Sequence, residues 1–173
     1  MRYLNITVAT ALALSITACS HRPTHTAAPQ FRASNPDSQS LVTDLRNNGI
    51  AVVQQGQRLQ LVLSTDRIFG ATSMQVKPSQ VANLRRVADL IKLYGPKATI
   101  QVRGYTAELQ NRSGRKVTST QYAQAVASFL WNDGVSKHRM KINGYGKAQP
   151  IASNMTPQGS AYNRRVEILV NYP

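Results

Sequence analysis

Gly144-Tyr145-Gly146-Lys147-Ala148-Gln149-Pro150-Ile151-Ala152-Ser153-Asn154 stands near the end of this 173-residue chain, with Gly159-Ser160-Ala161-Tyr162-Asn163-Arg164-Arg165-Val166-Glu167-Ile168 shortly after it. The two glycines around Tyr145 mark a sharp bend after a strand and are too short a signal for a phosphate-binding loop. Beyond the bend, Arg165 to Val170 alternates as a strand does, and Arg139 to Tyr145 supplies another strand before it.

Working outward, Thr118 followed by Gln121 has the spacing of a capping box, and Tyr122, Val126, Ala127, Leu130 and Trp131 follow at helical spacing until Gly134. Ala98 to Tyr105 alternates as a strand. Lys77-Pro78 opens a further helix whose apolar face is Val81, Leu84, Val87, Ala88, Ile91 and Tyr94, ended by Gly95-Pro96. Ile50 to Val53 and Leu59 to Leu63 flank Gln55-Gly56-Gln57 as the arms of a hairpin. Leu41, Val42 and Leu45 predict a short helix stopped by Asn47-Asn48-Gly49. No internal repeat is present, and residues 39–173 have the length of one ordinary domain.

The order of elements together with the Gly-Tyr-Gly, Pro-Ile-Ala-Ser-Asn and Asn-Arg-Arg-Val-Glu-Ile runs resembles the OmpA-like domain, the module that ties bacterial outer-membrane proteins to peptidoglycan. The resemblance implies an α+β fold: a β-α-β-α-β-β mixed sheet with helices packed on one face, here preceded by a short helix and hairpin. Its ligand site is implied to be a Gly-His-Thr-Asp segment at a strand end and an arginine some fifteen residues on. There the aspartate takes the ammonium, and the arginine the carboxylate, of the peptidoglycan diamino acid.

In this chain the first segment reads Gly104-Tyr105-Thr106-Ala107, and Tyr122 stands at the arginine position. Both charges are therefore absent from the positions the resemblance assigns. Each charge-assisted hydrogen bond contributes about 1.5–3 kcal/mol, so peptidoglycan binding is expected to be weak. Thr106, Glu108, Arg112 and Arg115 are candidates for partial replacement. Asn163 and Arg164 match the family pattern beside the same pocket. Alternation points one of Arg164 and Arg165 inward, either toward a ligand or to brace loop carbonyls and carboxylates.

The first residues, Met1-Arg2-Tyr3-Leu4 and the apolar stretch through Leu14, read as a secretory signal too short to span a membrane. Ile16-Thr17-Ala18-Cys19 is similar to the lipobox of bacterial lipoproteins, and Cys19 is the chain's one cysteine. The expectation is a signal peptide over residues 1–18, acylation (palmitate and diacylglycerol) at Cys19, and a flexible tether to residue 38. Ser20 after the cysteine favours the periplasmic face of the outer membrane, by resemblance to lipoproteins of Gram-negative bacteria.

Residues 19–173 carry 20 Lys and Arg against 7 Asp and Glu. Such a surface asks for anionic neighbours: phospholipid headgroups, lipopolysaccharide, peptidoglycan carboxylates or an acidic protein. Nucleic acid is not expected, since no recognition motif accompanies the charge. His21, His25 and His138 form no ligand set with a carboxylate cluster, so no metal and no cofactor are expected. Ser119 and Ser128 have no His-Asp partners nearby in sequence, so an enzyme is not expected either.

The helix from Leu41, the hairpin and the Leu130-Trp131-Asn132-Asp133-Gly134-Val135 run also resemble lipoproteins of type IVB (Dot/Icm) secretion machines. That implies a structural subunit of an outer-membrane core complex, with other subunits as partners. The alternative is an independent lipoprotein tethering the outer membrane to peptidoglycan.

Overall fold

The computed structural model describes residues 36–70, 73–107 and 112–173, and of 112–117 only the backbone. The signal segment, Cys19, His21, His25 and Glu108 lie outside the described residues. So do the side chains of Arg112 and Arg115.

Helix α1 (Pro36–Asn47) leads into the hairpin β1 (Ala51–Gln55) and β2 (Arg58–Ser64). A short α2 (Thr65–Ile68) precedes α3 (Pro78–Leu93), β3 (Thr99–Tyr105) and α4 (Arg112–Asn132). A 3-10 turn (Lys137–Arg139), β4 (Met140–Gly146), α5 (Pro157–Asn163) and β5 (Arg165–Asn171) complete the order. β2-α3-β3-α4-β4-β5 is the β-α-β-α-β-β arrangement, the hairpin's second arm serving as its first strand.

The sheet runs β1-β2-β5-β3-β4, with β3 and β4 parallel and every other pair antiparallel. The last strand thus inserts between β2 and β3, pairing Leu61 with Ile168 and Val102 with Ile168. Its period-two pattern sends Val166, Ile168 and Val170 into the core beside Leu59, Leu61, Leu63, Ile100 and Val102. Leu84, Val87 and Ile91 of α3 and Ala123, Val126 and Leu130 of α4 close that core from one side. Arg165, Glu167 and Leu169 take the opposite face.

Two glycines let α4 lie down on the sheet. A Cβ at Gly104 would overlap the Ser119 carbonyl, and one at Gly144 would overlap the Thr120 backbone nitrogen and hydroxyl. Across this seam the Ser119 hydroxyl accepts the Gly146 N–H at 3.0 Å. Ser119, one of the two serines weighed as nucleophiles, is in this way part of the packing.

Two boundaries differ from the sequence reading. α4 starts at Arg112, so Thr118 is inside the helix and does not cap it; its spacing to Gln121 is equally that of two residues on one helical face. α1 starts at Pro36, and Ser38 is buried, so the fold takes in the last three residues read as tether. Proline and Asp37 in a first turn both favour a helix start there. The end of α4 follows the expected form: Gly134 has a φ of 92°, and Val135 N–H closes onto the Leu130 carbonyl at 2.9 Å.

Candidate functional site

Of the positions singled out from sequence, Thr106, Ala107, Asn163 and Arg164 lie at one end of the sheet, where β2 and β3 end and β5 begins, and Tyr122 of α4 faces the Asp66–Arg164 pair there. Ala107 follows β3 and is buried. Just before it, Thr106 donates its N–H to the Gly146 carbonyl at 2.8 Å, fastening β3 to the end of β4. The Thr106 hydroxyl is buried and has no hydrogen-bond partner among the described residues.

Tyr122 projects from α4, half-buried, with its ring 5.0 Å from that of Phe69. Burial raises its hydroxyl pKa, the Asp66 carboxylate adds to the rise, and the Arg164 guanidinium opposes it. Tyr122 is thus an apolar wall packed beside an ion pair. In that pair Arg164 meets Asp66 with Nη2–Oδ2 at 2.6 Å, and the carboxylate lifts the pKa of the guanidinium.

Arg164 and Arg165 separate as alternation requires. Arg164 lies on the Tyr122 side and is partly exposed. Arg165 is buried on the other face, with Nε 2.8 Å from Glu167, Nη2 2.9 Å from the Gln149 carbonyl, and its guanidinium carbon 3.9 Å from the centre of the Tyr105 ring. Of the two roles weighed from sequence, Arg165 takes bracing.

Asn163, a candidate ligand contact, has its amide fully used by the loop before α5. Its Oδ1 accepts the N–H groups of Ile151 and Ala152 at 2.8 and 3.2 Å. Its Nδ2 donates to the Ala152 carbonyl and to Asn154 Oδ1 at 2.7 and 2.8 Å. An amide has about four such capacities, so none is left for a ligand. The Pro-Ile-Ala-Ser-Asn run has this shape because Asn163 clamps it.

Two pieces escaped the sequence reading. α5 was signalled by Thr156-Pro157, since the Thr156 hydroxyl accepts the Gly159 N–H at 3.0 Å with proline in the first turn. α2 is one turn long and supplies Asp66, the residue that engages Arg164; a single turn carries no periodicity to read. His138 sits exposed on the 3-10 turn, and among the described residues no group of three His, Cys, Asp or Glu is placed to hold a metal ion.

Comparison with known proteins places this edge in a family. The chain is 37% identical over 127 residues to the probable lipoprotein YiaD of Escherichia coli (strain K12), covering 73% of this chain and 58% of that protein. It is 40% identical over 103 residues to the peptidoglycan-binding protein ArfA of Mycobacterium tuberculosis, covering 60% of this chain and 31% of ArfA. The chain therefore spans about a third to three-fifths of these relatives. Among solved structures, the cell wall anchor of the T6SS from Pseudomonas aeruginosa superposes with a TM-score of 0.69 at 26% identity, covering 79% of this chain and 96% of that one. The family model described as OmpA family matches residues 68–164, from the end of α2 through Arg164. With its sheet order, its clamped loop and that match, the chain belongs to the OmpA family.

Proposed function

We propose that the protein is a lipid-anchored component of the bacterial cell envelope, held in the outer membrane through Cys19, whose OmpA-like domain is a structural anchor facing the cell wall and has no catalytic role. The observation that carries this reading is the retained frame: α4 seated on Gly104 and Gly144, and the Asn163 clamp. The relatives named for peptidoglycan binding and cell-wall anchoring support it. Because Ala107 is buried and Tyr122 is packed on Phe69, contact with peptidoglycan is weak and does not use the charge pair.

A second reading draws on the same two residues. An uncharged edge suits packing against protein better than gripping a zwitterion. This favours a structural subunit of an envelope-spanning secretion apparatus, similar to the DotK/IcmN lipoprotein of the Dot/Icm type IVB machine. Other subunits of that machine would then be the partners.

Sedimentation with purified sacculi, and cross-linking in intact envelopes, separate the two. An anchor sediments weakly but measurably with sacculi in the absence of other proteins; a secretion subunit cross-links to its neighbours through Tyr122 and does not sediment alone. Cys19→Ser tests the membrane attachment common to both, and a substituted protein that still fractionates with outer membranes rejects it.

A further inference from the structure

The end of the domain away from the candidate site has its own character. α1 and α3 run antiparallel: Ser38 and Gln39 line a cavity with Leu90 and Tyr94, while farther along α1 Asp44 pairs with Arg86 at 3.6 Å. The chain therefore enters the fold beside the end of α3. The Gly95-Pro96-Lys97 link, the last turn of α4 and the 3-10 turn share this end. Arg139 donates to the Gly95 carbonyl, and Lys92 bridges Asp89 at 3.1 Å and Asp133 at 3.3 Å.

Of the carboxylates at this end, Asp89 and Asp133 are paired with Lys92 and with Arg85, which is 3.9 Å from Asp133, and Asp37 stands in the first turn of α1. Lys97, Lys137 and His138 remain exposed around them. Amid these cations stand two large apolar side chains that the fold leaves outside: Trp131, 50% exposed, and Leu93, 42% exposed. The Lys137 ammonium sits 4.8 Å from the centre of the Trp131 ring. An indole with a lysine ammonium over its ring suits the headgroup level of a bilayer, where the ring enters the interface and ammonium groups meet phosphates.

We propose that this end, through Trp131, Leu93, Lys97 and Lys137, docks on an anionic phospholipid surface. Charge complementarity is one argument. The other is the path of the chain. Sixteen residues separate Cys19 from Pro36, a reach of at most about 60 Å, and they join the fold at this end. A lipid anchor at Cys19, proposed above, would hold this end of the domain within that distance of the membrane. The docking itself does not require the anchor.

Trp131 is the chain's single tryptophan, so its emission reports this surface alone. A chain from Ser20 onward keeps every described residue and has no cysteine to acylate. Mixed with phosphatidylglycerol vesicles, it should show a blue shift of Trp131 emission and quenching by brominated lipid. Neither should occur with phosphatidylcholine vesicles or with inorganic phosphate. Both should disappear near 1 M salt, where the screening length falls to about 3 Å. Lys97→Gln with Lys137→Gln should weaken partitioning roughly thirtyfold, at about 1 kcal/mol per lysine near an anionic leaflet. Lys77→Gln, at the opposite end, should leave it unchanged. No shift on phosphatidylglycerol, an equal shift on phosphatidylcholine or with phosphate alone, or equal losses from the lysine changes at the two ends would overturn the proposal.

Discussion

The guanidinium of Arg164 grips both carboxylate oxygens of Asp66, Nε at 2.9 and 3.0 Å and Nη2 at 2.6 Å. The same residue's carbonyl accepts the Thr65 N–H at 3.0 Å and the Thr65 hydroxyl at 3.1 Å. Arg164 therefore ties α2 to the start of β5 with both its backbone and its side chain. α2 leads directly into Phe69, the wall behind Tyr122. Arg164 is thus engaged in shaping the surroundings of Tyr122.

Tyr122 reports this arrangement. Asp66 raises its pKa and Arg164 lowers it, with burial as the larger influence. Asp66→Asn should bring the Tyr122 hydroxyl down, and Arg164→Ala should push it up. Tyrosine titration followed by NMR at the ring carbons would read both. Shifts of the same sign in the two variants would mean that Tyr122 does not face the pair.

The two ion pairs at the start of β5 should differ in their effect on stability. Arg164 and Asp66 are 32% and 45% exposed, a setting in which a pair contributes at most about 1 kcal/mol, so Arg164→Ala should cost little. Arg165 and Glu167 are 3% and 9% exposed. Glu167→Gln leaves the buried guanidinium without its counter-charge and should cost about 3 kcal/mol. Urea unfolding of the two variants gives the comparison, and equal midpoints would contradict it.

Alkaline pH should loosen the fold through its tyrosines. Burial pushes Tyr94 up to about 12 from 10.0, and Tyr105 and Tyr122 are raised in the same direction, also mainly by burial. The folded protein holds these protons more tightly than the unfolded chain. Their contribution is full below about pH 10 and is lost as pH rises toward 12. Tyr94→Phe should flatten the fall in melting temperature across that window while leaving the curve near neutrality in shape unchanged. A fall equally steep in the variant would assign it to other groups.

The fold was legible because its elements are long and periodic. Val81 to Tyr94 and Arg165 to Val170 each show one face of a helix or strand, and the glycines at 104 and 144 stand where the helix layer touches the sheet. The start of α4 was not legible, since Thr118 and Gln121 satisfy a capping pattern and a mid-helix face alike. At the candidate site, the resemblance assigns Ala107 and Tyr122 to the two charge positions, and their own identities are plain in the sequence. The partners of the neighbouring residues are not: Asp66 lies 98 positions from Arg164, and no local pattern links residues so far apart. Asn163 looked available for a ligand because the loop it clamps is irregular, and irregular backbone has no period from which to infer its hydrogen bonds.

Introducing the two charges tests how much of the site that the family resemblance implies the frame can support. Ala107→Asp alone places a carboxylate at a buried position, and Tyr122→Arg alone gives up the ring contact with Phe69, worth about 1 kcal/mol, in exchange for a charge beside Arg164. Each single change should therefore destabilise the domain and gain little affinity for sacculi. Together they supply opposite charges at the family's spacing, each with an end of the diamino acid to bind, and two charge-assisted hydrogen bonds of about 1.5–3 kcal/mol each exceed the packing lost. The double variant should bind sacculi containing a diamino acid at least about tenfold more tightly than the parent, with a favourable coupling in the double-mutant cycle. Circular dichroism and a melting curve establish that it is folded. A folded double variant with no gain would show that α2 and the Asp66–Arg164 pair leave no room for such a site, so that the chain has the family's fold without that way of holding peptidoglycan.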